Sequence, residues 1–302
     1  VGLRSGTGAV QLPNANDPLL RCNNVSYAFG THQLFTNLTF EINRGTIFVI
    51  LGDSGCGKST LLKCMAGLEV PSSGEVRVLG MDPKFQNAAT GAAYSLMPQE
   101  NDLFDVLTVF EHFQLFSRFR GDDIRPQDVY RILNDMDGCG LEDAVLRGPK
   151  KLNTVHRRKL WAAISLLGKG PICYLDEPTA GLGCKPRHVI WEHIRRVQAT
   201  GRTVVMSTKS YEEAELLGDR ILVIHEQRRD LLSPADLRAR FAPTYQLCVD
   251  GAVGVPRKIR KAVPPDALEE TDRRTGVVSY RFPGDTDLTP VLGALEEAGE
   301  ER

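Results

Sequence analysis

The stretch from Ile47 to Leu62, Ile-Phe-Val-Ile-Leu-Gly-Asp-Ser-Gly-Cys-Gly-Lys-Ser-Thr-Leu-Leu, constrains this chain more than any other. Its apolar run, Ile47 to Leu51, reads as a buried strand. The run breaks into Gly52-Asp53-Ser54-Gly55-Cys56-Gly57-Lys58-Ser59, and Thr60-Leu61-Leu62 then opens a helix. The spacing is glycine, four residues, glycine, lysine and serine, the phosphate-loop pattern. Gly52, Gly55 and Gly57 permit backbone dihedrals that side chains forbid and let the main chain approach a ligand. The freed N–H groups form a nest at a helix N-terminus, where an anion is stabilised. Lys58 adds a point charge for outer phosphates, and the Ser59 hydroxyl is suited to Mg2+. The pattern points to a nucleoside triphosphate, with a plain Gly-rich turn as the bland alternative. It does not say what the energy is used for.

A chain of 302 residues has room for one large domain or two smaller ones. Its net charge of −1 gives no bulk electrostatic case for nucleic acid or an anionic membrane. The seven cysteines are scattered, without a CxxC pair or Cys/His metal spacing, which argues for a reducing compartment. No apolar run reaches the roughly 18 residues that a membrane span requires. The chain begins with Val1 and not Met, which suggests an excised region.

Residues 1–17, rich in Gly, Ser, Asn and Pro, read as a linker. Apolar patches over Leu20–Ala28 and Leu34–Phe40 predict two antiparallel strands around Gly30-Thr31-His32. Phe29, at the end of the first, could stack on a purine base or be a core phenylalanine; Tyr27 is a weaker candidate. Ala92–Met97 reads as a strand running into Pro98-Gln99, where a glutamine could reach a metal-bound water or do nothing special. Thr108-Val-Phe-Glu111 is a capping box. It opens a helix with Val109, Phe110, Phe113, Phe116 and Phe119 in a stripe whose default reading is packing. Short helices over Val129–Met136 and Leu141–Leu146 follow, then an apolar-faced helix, 157–168, closed by Gly168. Residues of about 103–168 thus form a helical insertion between strands.

The next strand ends in Leu175-Asp176-Glu177-Pro178. An open parallel sheet places such acids beside a phosphate loop. Asp176 would hold the Mg2+ shell, and Glu177 could polarise an attacking water as general base; two carboxylates at a solvated strand end are the alternative. A helix over Arg187–Ala199, a strand over Thr203–Ser207, a helix capped by Ser210-Tyr-Glu-Glu213 and a strand over Ile221–His225 complete an α/β pattern with a parallel sheet. From about Phe241 the order becomes β-α-β-β-α, a split βαβ lacking its last strand. The fold class expected is a P-loop α/β core followed by a small α+β domain.

The ordered set of Phe29, the phosphate loop, Gln99, Asp176-Glu177 and a polar residue after Ser207-Thr208 resembles the nucleotide-binding domain of ABC transporters, over about residues 18–240. Arg158-Lys-Leu and the stretch from Gly201-Arg-Thr-Val-Val-Met-Ser-Thr to Asp219-Arg-Ile look like the A subfamily of lipid exporters. Residues 241–302 are similar to that subfamily's C-terminal regulatory domain, cut short. The resemblance implies Mg-ATP as the cofactor, with adenine on Phe29 and phosphates on residues 52–60. It implies Mg2+ at Ser59, Gln99 and Asp176, with Gln99 coupling to the membrane domain and Glu177 activating water. It implies, as partners, a second nucleotide-binding domain and transmembrane domains, at the cytoplasmic face of a membrane. Nucleic acid is not expected.

Three motifs depart from the family pattern. The Leu-Ser-Gly-Gly-Gln signature, which faces the partner's ATP, here reads Leu152-Asn153-Thr154-Val155-His156; Val155 in place of glycine blocks close backbone approach. Lys209 replaces the switch histidine and, while protonated, cannot accept a hydrogen bond. Gly183 stands where an aspartate is usual. Groups that hold Mg-ATP on this domain are present, whereas groups offered to the partner's ATP are damaged. The expectation is a transporter half that binds Mg-ATP and hydrolyses it slowly. The alternatives are a soluble ABC-type ATPase and a regulatory half that does not hydrolyse. A P-loop kinase is disfavoured.

Overall fold

The computed structural model describes residues 17–84, 94–119, 124–135, 152–167, 170–225, 228–241, 244–249, 257–265, 267–271, 278–283 and 286–300. They divide into two compact units between Pro234 and Ala235.

The first unit runs β1 (Leu20–Phe29), β2 (His32–Ile42), β3 (Ile47–Gly52), α1 (Lys58–Met65), β4 (Ser73–Val78), β5 (Tyr94–Met97), α2 (Val109–Phe119), α3 (Pro126–Asp135), α4 (Thr154–Leu166), β6 (Ile172–Asp176), α5 (Cys184–Ala199), β7 (Thr203–Thr208), α6 (Tyr211–Leu217), β8 (Arg220–His225) and β9 (Arg228–Leu232). A six-stranded sheet has the order β5-β6-β7-β3-β8-β9. Every pair in it is parallel except β8–β9. Its inner strands are apolar without alternation, as burial on both faces demands. All six residues of β7 and all five of β6 are buried. The register sets Asp176 beside Ser207 and Leu51 beside Thr208, so β3, β6 and β7 end at one edge.

A second sheet, β2-β1-β4, is antiparallel. In β2 Phe35, Leu38, Phe40 and Ile42 are buried while most intervening residues are exposed, the pattern of a sheet with one wet face. Helix α1 shares one core with both sheets: Leu61, Leu62 and Met65 join Phe35 and Phe40 of β2 and Phe48 and Ile50 of β3. Phe40 stacks on Phe48 with ring centroids 5.1 Å apart. Each such side chain contributes about 1.5–3 kcal/mol by leaving water, which holds α1, and the loop before it, in place.

The capping box at α2 forms on both sides: Thr108 N donates to Glu111 Oε2 at 2.6 Å, and Glu111 N to Thr108 Oγ1 at 3.2 Å. The aromatic stripe of α2 is packing for Phe113, which is buried, and for Phe116, which lies edge-on to Trp161 of α4 at 5.3 Å. Phe119 is exposed. The helix expected over Leu141–Leu146 and the stop at Gly168 lie outside the described residues, as does nearly all of the expected linker.

In the second unit β10 (Thr244–Val249), α8 (Arg257–Ala262), β11 (Leu268–Thr271), β12 (Val278–Pro283) and α9 (Thr289–Glu300) follow α7 (Pro234–Phe241). Strand β12 lies between β10 and β11 and is antiparallel to both, so β10 and β11 run the same way with one strand between them. That is a split βαβ arrangement. Asp287 caps α9 by accepting from Thr289 N at 2.9 Å.

Candidate functional site

The loop after β3 depends on glycine at two points. A Cβ on Gly52 would collide with the Ile224 carbonyl oxygen of β8 and lie 2.7 Å from Cys56 Sγ. Gly57, at φ +97, adopts the left-handed conformation that turns the chain into α1. Lys58 is buried, and its Nζ donates to the carbonyls of Gly52 at 2.9 Å and Asp53 at 2.8 Å, so the loop is tied across its own mouth. An open cleft of about 230 Å³ brings Ser54, Gly55, Gly57, Lys58, Ser59 and Thr60 together with Gln99, Glu177 and Lys209.

At the end of β6 the Asp176 carboxylate accepts from Ser59 Oγ at 3.0 Å and from Ser207 Oγ at 2.5 Å, both on Oδ1. Glu177 sits at φ +47, a conformation uncommon outside glycine. Its N–H is held there by the Ser207 carbonyl at 3.1 Å and hydroxyl at 3.0 Å. The Glu177 carboxylate, 8% exposed, lies 3.5 Å from Lys58 Nζ and 3.3 Å from Lys209 Nζ. Hard oxygen donors thus converge at Ser59 and Asp176 beside a buried ammonium, a chemistry suited to Mg2+ and the phosphates it accompanies.

Two charged residues behind the cleft were given no part in the site from sequence. Arg158 on α4 is 1% exposed. It donates to the carbonyls of Pro98 (3.0 Å), Gln99 (2.8 Å), Asp176 (2.7 Å), Glu177 (2.6 Å) and Pro178 (3.2 Å), and to Asn101 Oδ1 (3.1 Å). Burial pushes its guanidinium down to about 10, against the opposing pull of Asp176, Glu177 and Glu213, and it stays charged at neutral pH. Glu213 on α6, 1% exposed, accepts from Thr179 Oγ1 and Trp191 Nε1, each at 2.7 Å, and from Thr208 Oγ1. The loop at Gln99, the loop after β6 and the loop after β7 are therefore tied from behind by one buried cation and one buried anion. In sequence Arg158 stood only within the sub-family resemblance and Glu213 only within a helix cap, and neither signal pointed to these loops.

Phe29 is 76% exposed at the end of β1, so it is no core phenylalanine, and it does not line the phosphate cleft. Tyr27 instead leans on Phe35, ring centroids 6.0 Å apart. Asn153 to His156 also lie apart from the cleft, at the N-terminus of α4. There Asn153 Oδ1 accepts from His156 N at 2.8 Å, an N-cap. Gly183 is the N-cap residue of α5, with no side-chain cap.

Residues 35–180 match the ABC transporter family model. Phospholipid-transporting ATPase ABCA7 of Homo sapiens is 36% identical over 214 residues, 70% of this chain and 10% of that protein. ATP-binding cassette sub-family A member 6 of Mus musculus is 31% identical over 270 residues, 86% of this chain and 16% of that protein. The chain therefore spans a sixth or less of these relatives' length. Nod factor export ATP-binding protein I of Rhizobium etli is 31% identical over 206 residues, 68% of this chain and 65% of that protein. A solved ATP-binding subunit of an ABC transporter shares the fold at TM-score 0.66 and 23% identity, covering 74% of this chain and 93% of its own. Residues 35–180 belong to the ABC transporter ATP-binding domain family, and the chain is similar to that family's sub-family A members.

Proposed function

We propose that this domain binds Mg-ATP on residues 52–60 and Asp176 and serves as one energy-coupling half of a lipid- or amphipath-moving ABC transporter. The observation that carries the reading is the convergence of Lys58, Ser59 and Glu177 on one cleft, with Asp176 accepting from Ser59 behind it. Mg2+ held there would supply charge neutralisation for the phosphates. Ser59 and Asp176 would hold it, with Gln99 beside them, and Phe29 offers an exposed ring for adenine. The transport reading is supported by the sub-family A relatives, which carry such domains within far longer proteins. Its partners are then a second nucleotide-binding domain and transmembrane domains at the cytoplasmic face of a membrane. No helix among the described residues is long and apolar enough to cross one. The second unit is read as a regulatory-type domain.

Turnover by this half is slow in this reading. Asn153 to His156 give the partner's ATP a poor surface: Asn153 already occupies one N–H of the α4 N-terminus, and Val155 bars close approach. Lys209 ties the Glu177 carboxylate that would otherwise orient water. Restoring Ser-Gly-Gly-Gln at 153–156 in the assembled transporter should raise its ATPase rate several-fold. An unchanged rate after that repair would sink the claim that the signature limits turnover.

A further inference from the structure

The end of β1 that carries Phe29 is held by side chains where a sheet would use backbone. On one edge β4 begins at Ser73, opposite Ser26, so Tyr27 to Phe29 have no strand partner there among the described residues. Ser72, in the turn just before β4, fills the gap. Its N–H donates to the Ser26 carbonyl at 2.8 Å, and its Oγ accepts from Ala28 N at 3.0 Å. The hydroxyl thus stands where a neighbouring strand would offer a carbonyl. A Cβ on Gly74 would collide with the Asn24 carbonyl, so the turn lies directly against β1. On the other edge the pairing with β2 shifts register between Tyr27 and Ala28. There Gln33 Nε2 donates to the carbonyls of Tyr27 at 3.3 Å and Phe35 at 2.8 Å, and so ties the two strands together across the shift. Phe29 follows with its side chain largely exposed, so its place is set by the backbone beneath it and not by a core.

We propose that Ser72 and Gln33 are positioning residues for the nucleotide base: they fix Tyr27 and Ala28, so that the Phe29 ring is presented for stacking before a nucleotide arrives. This rests on the ATP-binding reading above, with adenine on Phe29. A ring that must be ordered during binding draws its ordering entropy from the binding free energy, whereas a ring on a fixed strand end does not. Neither Ser72 nor Gln33 borders the cleft at the phosphate loop. Their effect should therefore fall on the base and spare the phosphates.

Two ligands, one with a base and one without, separate positioning from general structure. The 302-residue chain and its variants would be titrated with Mg2+ and a non-hydrolysable ATP analogue, and inorganic tripolyphosphate would be measured by competition against that analogue. Ser72 and Gln33 are exposed, so alanine at either should leave the fold intact. Phe29→Ala should weaken the analogue about ten-fold, the size of one lost base stack. Ser72→Ala should weaken it about four-fold and Gln33→Ala about three-fold, while tripolyphosphate moves less than about two-fold in each. Ser72→Thr, which keeps the hydroxyl, should restore the parent affinity. In the Phe29→Ala background, Ser72→Ala should cost less than about two-fold more. Equal losses on the analogue and on tripolyphosphate would overturn the proposal, because they would mean general damage to the domain. So would an undiminished loss in the Phe29→Ala background, or parent affinity in Ser72→Ala and Gln33→Ala alike. Parent affinity in Phe29→Ala would remove the base from Phe29 and overturn the positioning role, with Mg-ATP binding at the phosphate loop left standing. A parent chain that binds neither ligand would overturn the ATP-binding reading itself, and the positioning role with it.

Discussion

Replacing Arg158 by alanine should do more damage than any change on the cleft surface. The substitution deletes a guanidinium that is 1% exposed and whose five N–H groups reach six acceptors on two separate loops, Pro98–Asn101 and Asp176–Pro178. Bonds from a charged donor are worth roughly 1.5–3 kcal/mol apiece, but six sharing one side chain do not add. The deletion also removes the cost of keeping a charge out of water, and the orphaned carbonyls retain a second lone pair. The net loss should be about 3–5 kcal/mol. At about 2–4 °C per kcal/mol for a domain of this size, Tm should fall on the order of 10 °C. Arg158→Lys keeps the charge but has three donors on one atom, and should melt between the two. Thermal melts of the full chain measure both variants. Hydrogen exchange adds a specific mark: amides at 98–101 and 176–178 should speed up together. An Arg158→Ala chain melting within about 2 °C of the parent would refute the claim that this side chain joins the loops.

Two further changes address buried charge elsewhere. Glu213→Ala strands the donors of Thr179, Thr208 and Trp191 and should cost about 3 kcal/mol, whereas Glu213→Gln, which keeps one acceptor oxygen, should cost about half that; melts, with tryptophan emission reporting Trp191, distinguish them. His112 is fully buried: its Nε2 accepts from Phe104 N at 3.0 Å, which leaves Nδ1–H to donate to the Thr108 carbonyl at 2.7 Å. Burial lowers its pKa below the ordinary 6.5, against the opposing pull of Thr108 and Glu111. The unfolded chain therefore takes up the proton first, and stability fully present above about pH 6.5 is lost as pH falls, by at most about 1.4 kcal/mol per pH unit. His112→Gln should flatten that slope in denaturant titrations; parallel slopes would refute the assignment.

What was legible in the chain was local. The phosphate loop announces itself because strand, glycines, lysine and helix start lie within sixteen residues. The α2 capping box and the split βαβ order are likewise set by neighbours. What was not legible depends on partners far along the chain. Arg158 reads as an ordinary helix charge until α4 brings it to carbonyls 60 and 59 residues earlier. Ser210-Tyr-Glu-Glu213 reads as a capping box, and half of it forms: Ser210 Oγ accepts from Glu213 N at 3.3 Å. The other half does not, because the Glu213 carboxylate turns inward to Thr179, 34 residues away, and Ser210 N donates to Thr208 Oγ1 instead. A buried cluster of polar donors outcompetes a solvated cap. Phe29 was ambiguous for the opposite reason: the end of a strand fixes position but not burial.

The same division between a buried lattice and an open edge determines what a full repair of the three departures should cost. Asn153, Gly183 and Lys209 lie on the edge: the first is an exposed N-cap, the second has open space where a Cβ would go, and the third is half exposed. Serine at 153 caps a helix as well as asparagine does. A Cβ at 183 meets no atom within 4 Å, at a φ of −72 that any residue adopts, and an aspartate there would give α5 the side-chain cap it lacks, a gain of a few tenths of a kcal/mol. Glycines at 154 and 155, in the first turn of α4, cost up to about 1 kcal/mol each. Histidine at 209 gives up one partly exposed ion pair, about 0–1 kcal/mol. The chain carrying all of these changes should lose at most about 2–3 kcal/mol and melt within about 10 °C of the parent, with Arg158 and Glu213 still holding the loops. A repaired chain that unfolds as readily as Arg158→Ala combined with Glu213→Ala would mean that the departures belong to the lattice, and that binding and turnover cannot be altered separately in this domain.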